Sequence, residues 1–114
     1  MHNRSPLAAA AFFMVSFQFG ASPGFGAGPL SPSAQRGQTF MRANCAGCHS
    51  IDKVSESPLA AAPPFRTLHL KYPVESLQEA LGEGIITGHP TMPEFRLDPG
   101  QIDDVISYLK SLEQ

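Results

Sequence analysis

The pentapeptide Cys45-Ala46-Gly47-Cys48-His49 constrains this chain most, because it holds both cysteines of the sequence and places a histidine directly behind them. Four chemistries use so closely spaced a pair: a redox-active dithiol, part of a zinc site, a short disulfide, or covalent attachment of a haem. The remainder of the chain has to favour one of the four.

The first 27 residues have the three-part pattern of a secretory signal peptide. His2 and Arg4 give a weakly basic start, residues 7–19 are apolar apart from one serine and one glutamine, and residues 20–29 are rich in small and turn-forming residues. A membrane-spanning helix needs about 20 apolar residues, and this apolar run is shorter. The pattern therefore predicts a cleaved signal peptide, and an uncleaved interfacial anchor is the alternative.

Export would set the boundaries of the folded domain and the surroundings of its cysteines. We expect cleavage between about residues 24 and 27, a folded domain over residues 28–114, and a periplasmic location. That compartment is oxidising.

A disulfide across a two-residue loop would add little stability, and a domain of this size has a marginal core. A large apolar cofactor would complete such a core.

Three segments are predicted to be helical, and no segment alternates as a strand does. They cover residues 33–44, 74–81 and 97–112; a long irregular loop covers residues 50–73, and a loop dense in Gly and Pro covers residues 82–96. Loops of this length are uncommon in a small domain unless they have a function. The expected fold class is all-α, with three main helices and two loops wrapped around an object that is not protein.

Caps and apolar faces support these helices. Asp98 is expected to cap the last helix, Ser31 or Ser33 the first, and Gly82 and Gly84 to close the second. The apolar positions follow helical spacing: Ala34, Gly37, Met41 and Phe40 in the first helix; Val74, Leu77, Leu81 and then Ile85 in the second; Ile102, Val105, Ile106 and Leu109 in the third.

Haem attachment is the chemistry that best fits the cysteine pair. A thioredoxin-like dithiol needs a βαβ sheet, and a structural zinc site needs four ligands, which the pair and one of His69 or His89 do not provide. A disulfide leaves His49 unexplained. Cys-x-x-Cys-His is the attachment signal of c-type haem. It predicts one haem c, with Cys45 and Cys48 as thioethers and His49 as an iron ligand.

The chain resembles the small class I cytochromes c, which are single-haem electron carriers, over residues 31–114. These proteins have a glycine eight residues before the first cysteine, where their terminal helices cross, and Gly37 is at that position. The aromatic residue that they usually have four residues before that cysteine is Met41 here, with Phe40 beside it. The resemblance implies the cytochrome c fold, in which three main helices and loops surround one covalently attached haem.

Two loop motifs extend the resemblance. Ala62-Pro63-Pro64-Phe65 is similar to the Gly-Pro-x-Leu segment of the family, which implies that the Pro63 carbonyl bonds His49; Pro64 is the alternative. Thr91-Met92-Pro93 is similar to the Met-Pro pair that supplies the second iron ligand in the family.

The residues alone also favour Met92 as the second ligand. Met41 is on the helix that precedes the cysteines and cannot reach the far face, and His69 is in the first loop, on the side of His49. His89 and Met92 remain, in one loop. The prolines on either side of Thr91 and Met92 stiffen an extended backbone that presents the methionine. We therefore favour Met92, and His89 is the alternative.

The expected function is transfer of single electrons by a soluble periplasmic protein between a donor and an acceptor redox protein. Iron ligated on both sides leaves no site for a substrate, so an enzyme is not expected. The formal net charge of −2, without a basic run, does not indicate nucleic acid. A monomer without stable membrane insertion is expected. Two rival functions are a cytochrome subunit through which electrons enter a periplasmic dehydrogenase and a gas-binding or sensor module.

Further contacts to the haem are expected from the apolar stripe of the second helix and from two aromatic residues beside the ring. Two polar residues are candidates for the propionates. These expectations concern Leu77, Leu81, Ile85, Phe65 and Phe95 around the ring, and Tyr72 and Arg66 at the propionates.

Overall fold

Helices form the regular structure of this protein. The computed structural model describes residues 14–16, 20, 28–84 and 91–113. Three α-helices, α1 (Pro32–Asn44), α2 (Leu77–Glu83) and α3 (Pro99–Ser111), are accompanied by 3₁₀ helices at Phe65–Leu70 and Val74–Ser76. No strand occurs within the described ranges, which agrees with the predicted all-α class. None of the helices in this part of the chain is long and apolar enough to cross a membrane.

The first and last helices begin at the predicted caps. The Ser31 hydroxyl accepts a hydrogen bond from the Ala34 amide at 3.2 Å, so Ser31 rather than Ser33 is the cap of α1. Asp98 accepts from the Gln101 amide at 2.9 Å, and the Gln101 side chain accepts from the Asp98 amide at 3.2 Å. This reciprocal capping box satisfies two amides that the first turn of a helix leaves without partners.

The second helix differs from its prediction at both ends. Its first turn, Val74–Ser76, is a 3₁₀ helix, and α2 continues through Gly82 to Glu83. Gly84 ends it with φ +108°, a conformation that L side chains rarely adopt. Gly82 and Gly84 both follow Leu81, and only Gly84 has the positive φ that ends the helix. The helix therefore ends two residues later than the sequence predicted.

Helices α1 and α3 cross at Gly37. A Cβ atom there would overlap the carbonyl oxygen of Asp104 and lie 2.6 Å from its carbonyl carbon. The Asp104 carboxylate accepts from Arg36 at 2.7 and 2.8 Å and from the Ser33 hydroxyl at 2.7 Å. These bonds, with the Arg36 side chain first, lower the pKa of Asp104. Close backbone contact and the hydrogen-bonded ion pair of Arg36 and Asp104 therefore occur together at the crossing.

The core is one cluster that joins all three helices. Tyr108 belongs to it, although the predicted face of α3 omitted that residue, and Ile102, which the prediction included, is only half-buried. The Tyr108 hydroxyl donates to the Ile51 carbonyl at 2.7 Å. The buried apolar members are Ala34, Met41, Leu68, Val74, Leu81, Leu97, Val105, Ile106, Tyr108, Leu109 and Leu112.

Candidate cofactor site

An apolar cavity of about 740 Å³ lies between the helices and the loops. Ligand pockets have volumes of about 300–1,000 Å³. Its walls come from α1, the cysteine motif, residues 59–65, α2, residues 91–93 and α3. The part of the chain that the structure describes contributes no Asp, Glu, Lys or Arg to this lining. The cavity thus suits a large apolar group.

The cysteine motif continues directly from α1. The Cys45 amide donates to the Met41 carbonyl at 2.8 Å, and the His49 amide donates to the Cys45 carbonyl at 2.9 Å. This helical turn presents Cys45, Cys48 and His49 to the same cavity. Burial raises the pKa of the Cys45 thiol to about 11, so its side chain is uncharged at neutral pH, whereas Cys48 is exposed at the mouth.

The ring of His49 is held from two sides by residues 63–65 of the loop that follows the motif. Its Nδ1 lies 2.8 Å from the carbonyl oxygen of Pro63. The ring of Phe65 stacks on the imidazole with centroids 4.5 Å apart and an interplanar angle of 27°. The Pro64 carbonyl instead accepts from the amide and hydroxyl of Thr67, at 3.0 and 2.8 Å. The contact that the sequence predicted for Pro63 is therefore present, and Pro64 does not replace it.

Backbone hydrogen bonds fix that segment against the motif. The Leu59 amide donates to the Cys48 carbonyl at 3.1 Å, and the Phe65 amide donates to the Ser50 carbonyl at 3.0 Å. These bonds bracket His49 in the sequence. With Nδ1 at Pro63, the other ring nitrogen is available to a metal.

Met92 lies on the cavity wall with Thr91 and Pro93. Its side chain is half-buried. The end of its loop is tied to α2 because the Leu97 amide donates to the Leu81 carbonyl at 2.8 Å. The alternative ligand His89, together with Ile85 and Pro90, lies outside the described residues.

The other predicted contacts agree with the structure only in part. Leu77, Leu81 and Tyr72 line the cavity. Phe65 and Phe95 line it as well; the ring of Phe65 also stacks on His49, and Phe95 makes an edge-on contact with Phe40 at 6.2 Å. His69 and Arg66 are not part of the lining.

Arg66 has partners in the loop that follows the motif. Its guanidinium donates to the Ser50 hydroxyl at 3.3 Å and to the Ser55 carbonyl, and it pairs with Glu56 at 3.5 Å. The loop after the motif thus supplies partners for this cation, and the propionate assignment of Arg66 stays a prediction.

Sequence reasoning also missed the turn that shapes this loop. The Asp52 carboxylate accepts from the amides of Ser55 at 2.6 Å and Val54 at 2.8 Å. These bonds, with that of Ser55 largest, lower the pKa of Asp52 to about 2. An aspartate often forms a turn in which its side chain accepts hydrogen bonds from backbone amides a few residues later. Asp52 in the Asp52-Lys53-Val54-Ser55 stretch was therefore a signal for this turn.

The donor set fits a covalently bound haem. Two thiols and an imidazole reach the cavity from one turn, a thioether reaches it from a separate loop, and the remaining lining is almost wholly apolar. Thiols that form thioethers, and histidine and methionine as axial ligands, are the residue types that haem proteins use.

Comparison with known proteins agrees with a covalently bound haem at this site. The family model described as "Cytochrome c" matches residues 34–113. A "Cytochrome c-553-like" protein of Synechocystis sp. (strain ATCC 27184 / PCC 6803 / Kazusa) is 30% identical over 86 residues, which are 73% of this chain and 72% of that protein. No solved structure matches the chain significantly. These matches support a single-haem electron carrier. This chain belongs to the cytochrome c family, and its cofactor is the covalently attached, iron-containing haem c of that family.

Proposed function

We propose that this protein is a soluble periplasmic carrier whose haem iron is ligated by His49 and Met92. One observation carries the ligand assignment: the His49 imidazole, with Nδ1 2.8 Å from the Pro63 carbonyl, and the Met92 thioether line the same apolar cavity. Cys45 and Cys48 are the attachment residues. The bound haem supplies a one-electron couple.

The residues around His49 would hold it in one tautomer and one orientation. The Pro63 carbonyl accepts the Nδ1 proton, which leaves Nε2 as the metal donor and raises its donor strength. The stacked ring of Phe65 limits rotation of the imidazole. Fixed ligands suit electron transfer, because a change of oxidation state then needs little movement of the protein.

Met92 would set the reduction potential. A thioether favours ferrous iron and raises the potential relative to a second histidine. The surrounding walls are apolar. With a protein ligand on each side, no position remains for a substrate, so the proposed role is that of a carrier and not of an enzyme.

Electrons would leave and enter at the exposed edge of the cavity. Gly47 and Cys48 are exposed there, and so is Pro93 on the loop of Met92. We propose that a donor protein and an acceptor protein dock at this edge in turn.

Export is part of the proposal and rests on the composition of residues 1–27. The family match begins at residue 34, beyond that segment. Intact-mass measurement of protein from its native host should show one haem added to a chain that starts between about residues 25 and 28. A mass that includes the apolar run would instead indicate a membrane-anchored cytochrome.

Replacement of Met92 tests the function most directly. The ferric protein should show the weak far-red band of a sulfur-to-iron transition, and Met92→Ala should abolish that band, admit exogenous ligands and lower the reduction potential. The haem should stay attached through Cys45 and Cys48. His89→Ala is the matched control and should leave both band and potential nearly unchanged.

Two results would contradict the proposal. Loss of the sixth ligand in His89→Ala but not in Met92→Ala would identify two histidine ligands. A pyridine haemochrome spectrum without the c-type signature would reject the attachment residues.

A further inference from the structure

The segment that carries Met92, residues 91–97, meets the C-terminal end of α2 at two places. One is the backbone hydrogen bond from the Leu97 amide to the Leu81 carbonyl, at 2.8 Å. The other is a side-chain contact between Glu94, two residues after Met92, and Gly84, which ends α2. The second contact lies much closer in the sequence to the proposed ligand than the first.

Glu94 fills the space beside Gly84. A Cβ atom added at Gly84 would overlap Oε1 of Glu94 and lie 3.1 Å from its Cδ and 3.2 Å from its Cγ. Three atoms of one side chain thus occupy the place where any residue other than glycine would have its own side chain. The φ of +108° also disfavours a side chain at position 84, but only the contact with Glu94 involves the Met92 segment.

Arg96 orients the carboxylate that makes this contact. Its Nε donates to the same Oε1 of Glu94 at 3.1 Å, and the side chains of Arg96 and Glu94 are 73% and 48% exposed. Exposed ion pairs contribute little to stability. A carboxylate near the C-terminal end of a helix is disfavoured by the helix dipole, and the Arg96 cation offsets this effect. The ion pair therefore places Glu94 on Gly84 more than it stabilises the fold.

Glu94 supports the cavity wall from its outer side. Met92 and Phe95 line the cavity, whereas Glu94 does not. Phe95 is in turn held by its edge-on contact with Phe40. Binding groups work only when the residues around them hold them to within about 0.5 Å of the productive position. Movement of Glu94 away from Gly84 would displace the backbone next to Met92.

We infer that Glu94 is a positioning residue for Met92: by resting on Gly84 it holds the Met92 segment against the end of α2 and slows release of the thioether from the iron. The inference rests on the proposed ligation by His49 and Met92 and adds the side chain that keeps the second ligand in place. Loss of a group that supports a metal ligand typically costs about 10- to 100-fold in affinity or activity. Because Glu94 is half-exposed, we expect an effect of about three- to tenfold.

Binding of imidazole to the ferric holoprotein measures this release. At saturating imidazole, the binding rate is limited by the rate at which the Met92 thioether leaves the iron, and loss of the far-red band follows it. Glu94→Ala should raise this limiting rate about three- to tenfold and keep the band in the absence of imidazole. Glu94→Gln retains the length of the side chain and an oxygen that accepts from Arg96, so its limiting rate should stay within about twofold of the parent.

Glu83→Ala is the matched control. Glu83 is an exposed carboxylate at the end of α2, directly before Gly84 in the sequence. Its replacement removes the same charge from the same end of the helix but leaves the side chain of Glu94 on Gly84. The limiting rate of this variant should also stay within about twofold of the parent.

A double-mutant cycle tests the contact itself and does not depend on the ligand assignment. Gly84→Ala should lower the denaturant midpoint less in the Glu94→Ala background than in the parent, because the atoms that its Cβ would overlap are then absent. The shift that remains reports the strain of the positive φ. Equal shifts in the two backgrounds would reject the contact between Glu94 and Gly84.

The failure of this inference is distinguishable from that of the proposed function. Equal limiting rates in the parent and Glu94→Ala, in proteins that show the far-red band, would overturn the inference alone, even if the unfolding midpoint of Glu94→Ala fell. Equal acceleration by Glu83→Ala and Glu94→Ala would identify lost charge, and not the contact with Gly84, as the cause and would also overturn it. A parent protein without the far-red band would overturn ligation by Met92 and the inference with it.

Discussion

Replacing Gly37 by alanine should destabilise the fold severely. The new Cβ would overlap the Asp104 carbonyl oxygen, lie 2.6 Å from the carbonyl carbon and 3.0 Å from the Tyr108 Cβ. Carbon atoms in contact are about 3.5–4.0 Å apart, so α1 and α3 would have to separate by about 1 Å. The obstructing atoms are backbone, and no side-chain rotation relieves them.

The cost follows from what the crossing holds together. Overpacking a core costs about 1–3 kcal/mol and occasionally more. Here the separation would also loosen the contacts of Met41 and Val105 and the hydrogen bonds between Arg36 and Asp104. We expect a loss of at least about 3 kcal/mol, which lowers Tm by about 12–24 °C in a domain of this size.

Gly82→Ala is the matched control for this experiment. Gly82 is exposed in α2, and the nearest atom to its added Cβ is Ile102 Cδ1 at 3.3 Å, the end of a flexible side chain. Alanine gains up to about 1 kcal/mol over glycine inside a helix. Thermal unfolding of both holoproteins, followed by far-ultraviolet circular dichroism, makes the comparison. A loss below about 1 kcal/mol for Gly37→Ala, or equal values for the two variants, would refute the close crossing.

Three further predictions concern the loops. Gly84→Ala should cost about 1–3 kcal/mol in denaturant unfolding, because φ +108° is strained for alanine; an unchanged midpoint would contradict this. Phe65→Leu should keep the haem but change the ferric electron paramagnetic resonance g-values, because the His49 ring loses its stacked partner; identical spectra would contradict the role of the stack. Asp52 has a pKa lowered to about 2 from 3.8, so its contribution to stability is full above about pH 4 and is lost as the pH falls through 2. The difference in unfolding free energy between the parent and Asp52→Asn should therefore shrink over that range, and a constant difference would contradict the assignment.

The features that the residues alone, without the family resemblance, predicted correctly are local in the chain. The cap at Asp98 depends on residues within one turn, and so does the turn that presents Cys45 and Cys48. Gly37 was identified through the resemblance to a family, and the structure gives the physical reason, which is the carbonyl of Asp104.

The features that the sequence did not predict depend on the path of an irregular loop. Tyr108 is buried beside Gly37, and its hydroxyl is satisfied by the carbonyl of Ile51 in the loop. Arg66 bonds Ser55 and Glu56 of the loop after the motif. Neither partner has a periodic relation to the residue that it bonds, so no pattern of spacing marks either pair.

The two sides of the cavity are held by different kinds of contact, and this difference makes the ligand experiment interpretable. His49 is fixed by a side-chain hydrogen bond, a stacked ring and backbone bonds on either side of it, all from residues 59–65. None of these contacts involves the Met92 loop, which is tied to α2 through Leu97 and Leu81. Removal of the Met92 side chain should therefore leave the His49 side intact, so a lower potential in that variant reports loss of a ligand and not loss of the fold.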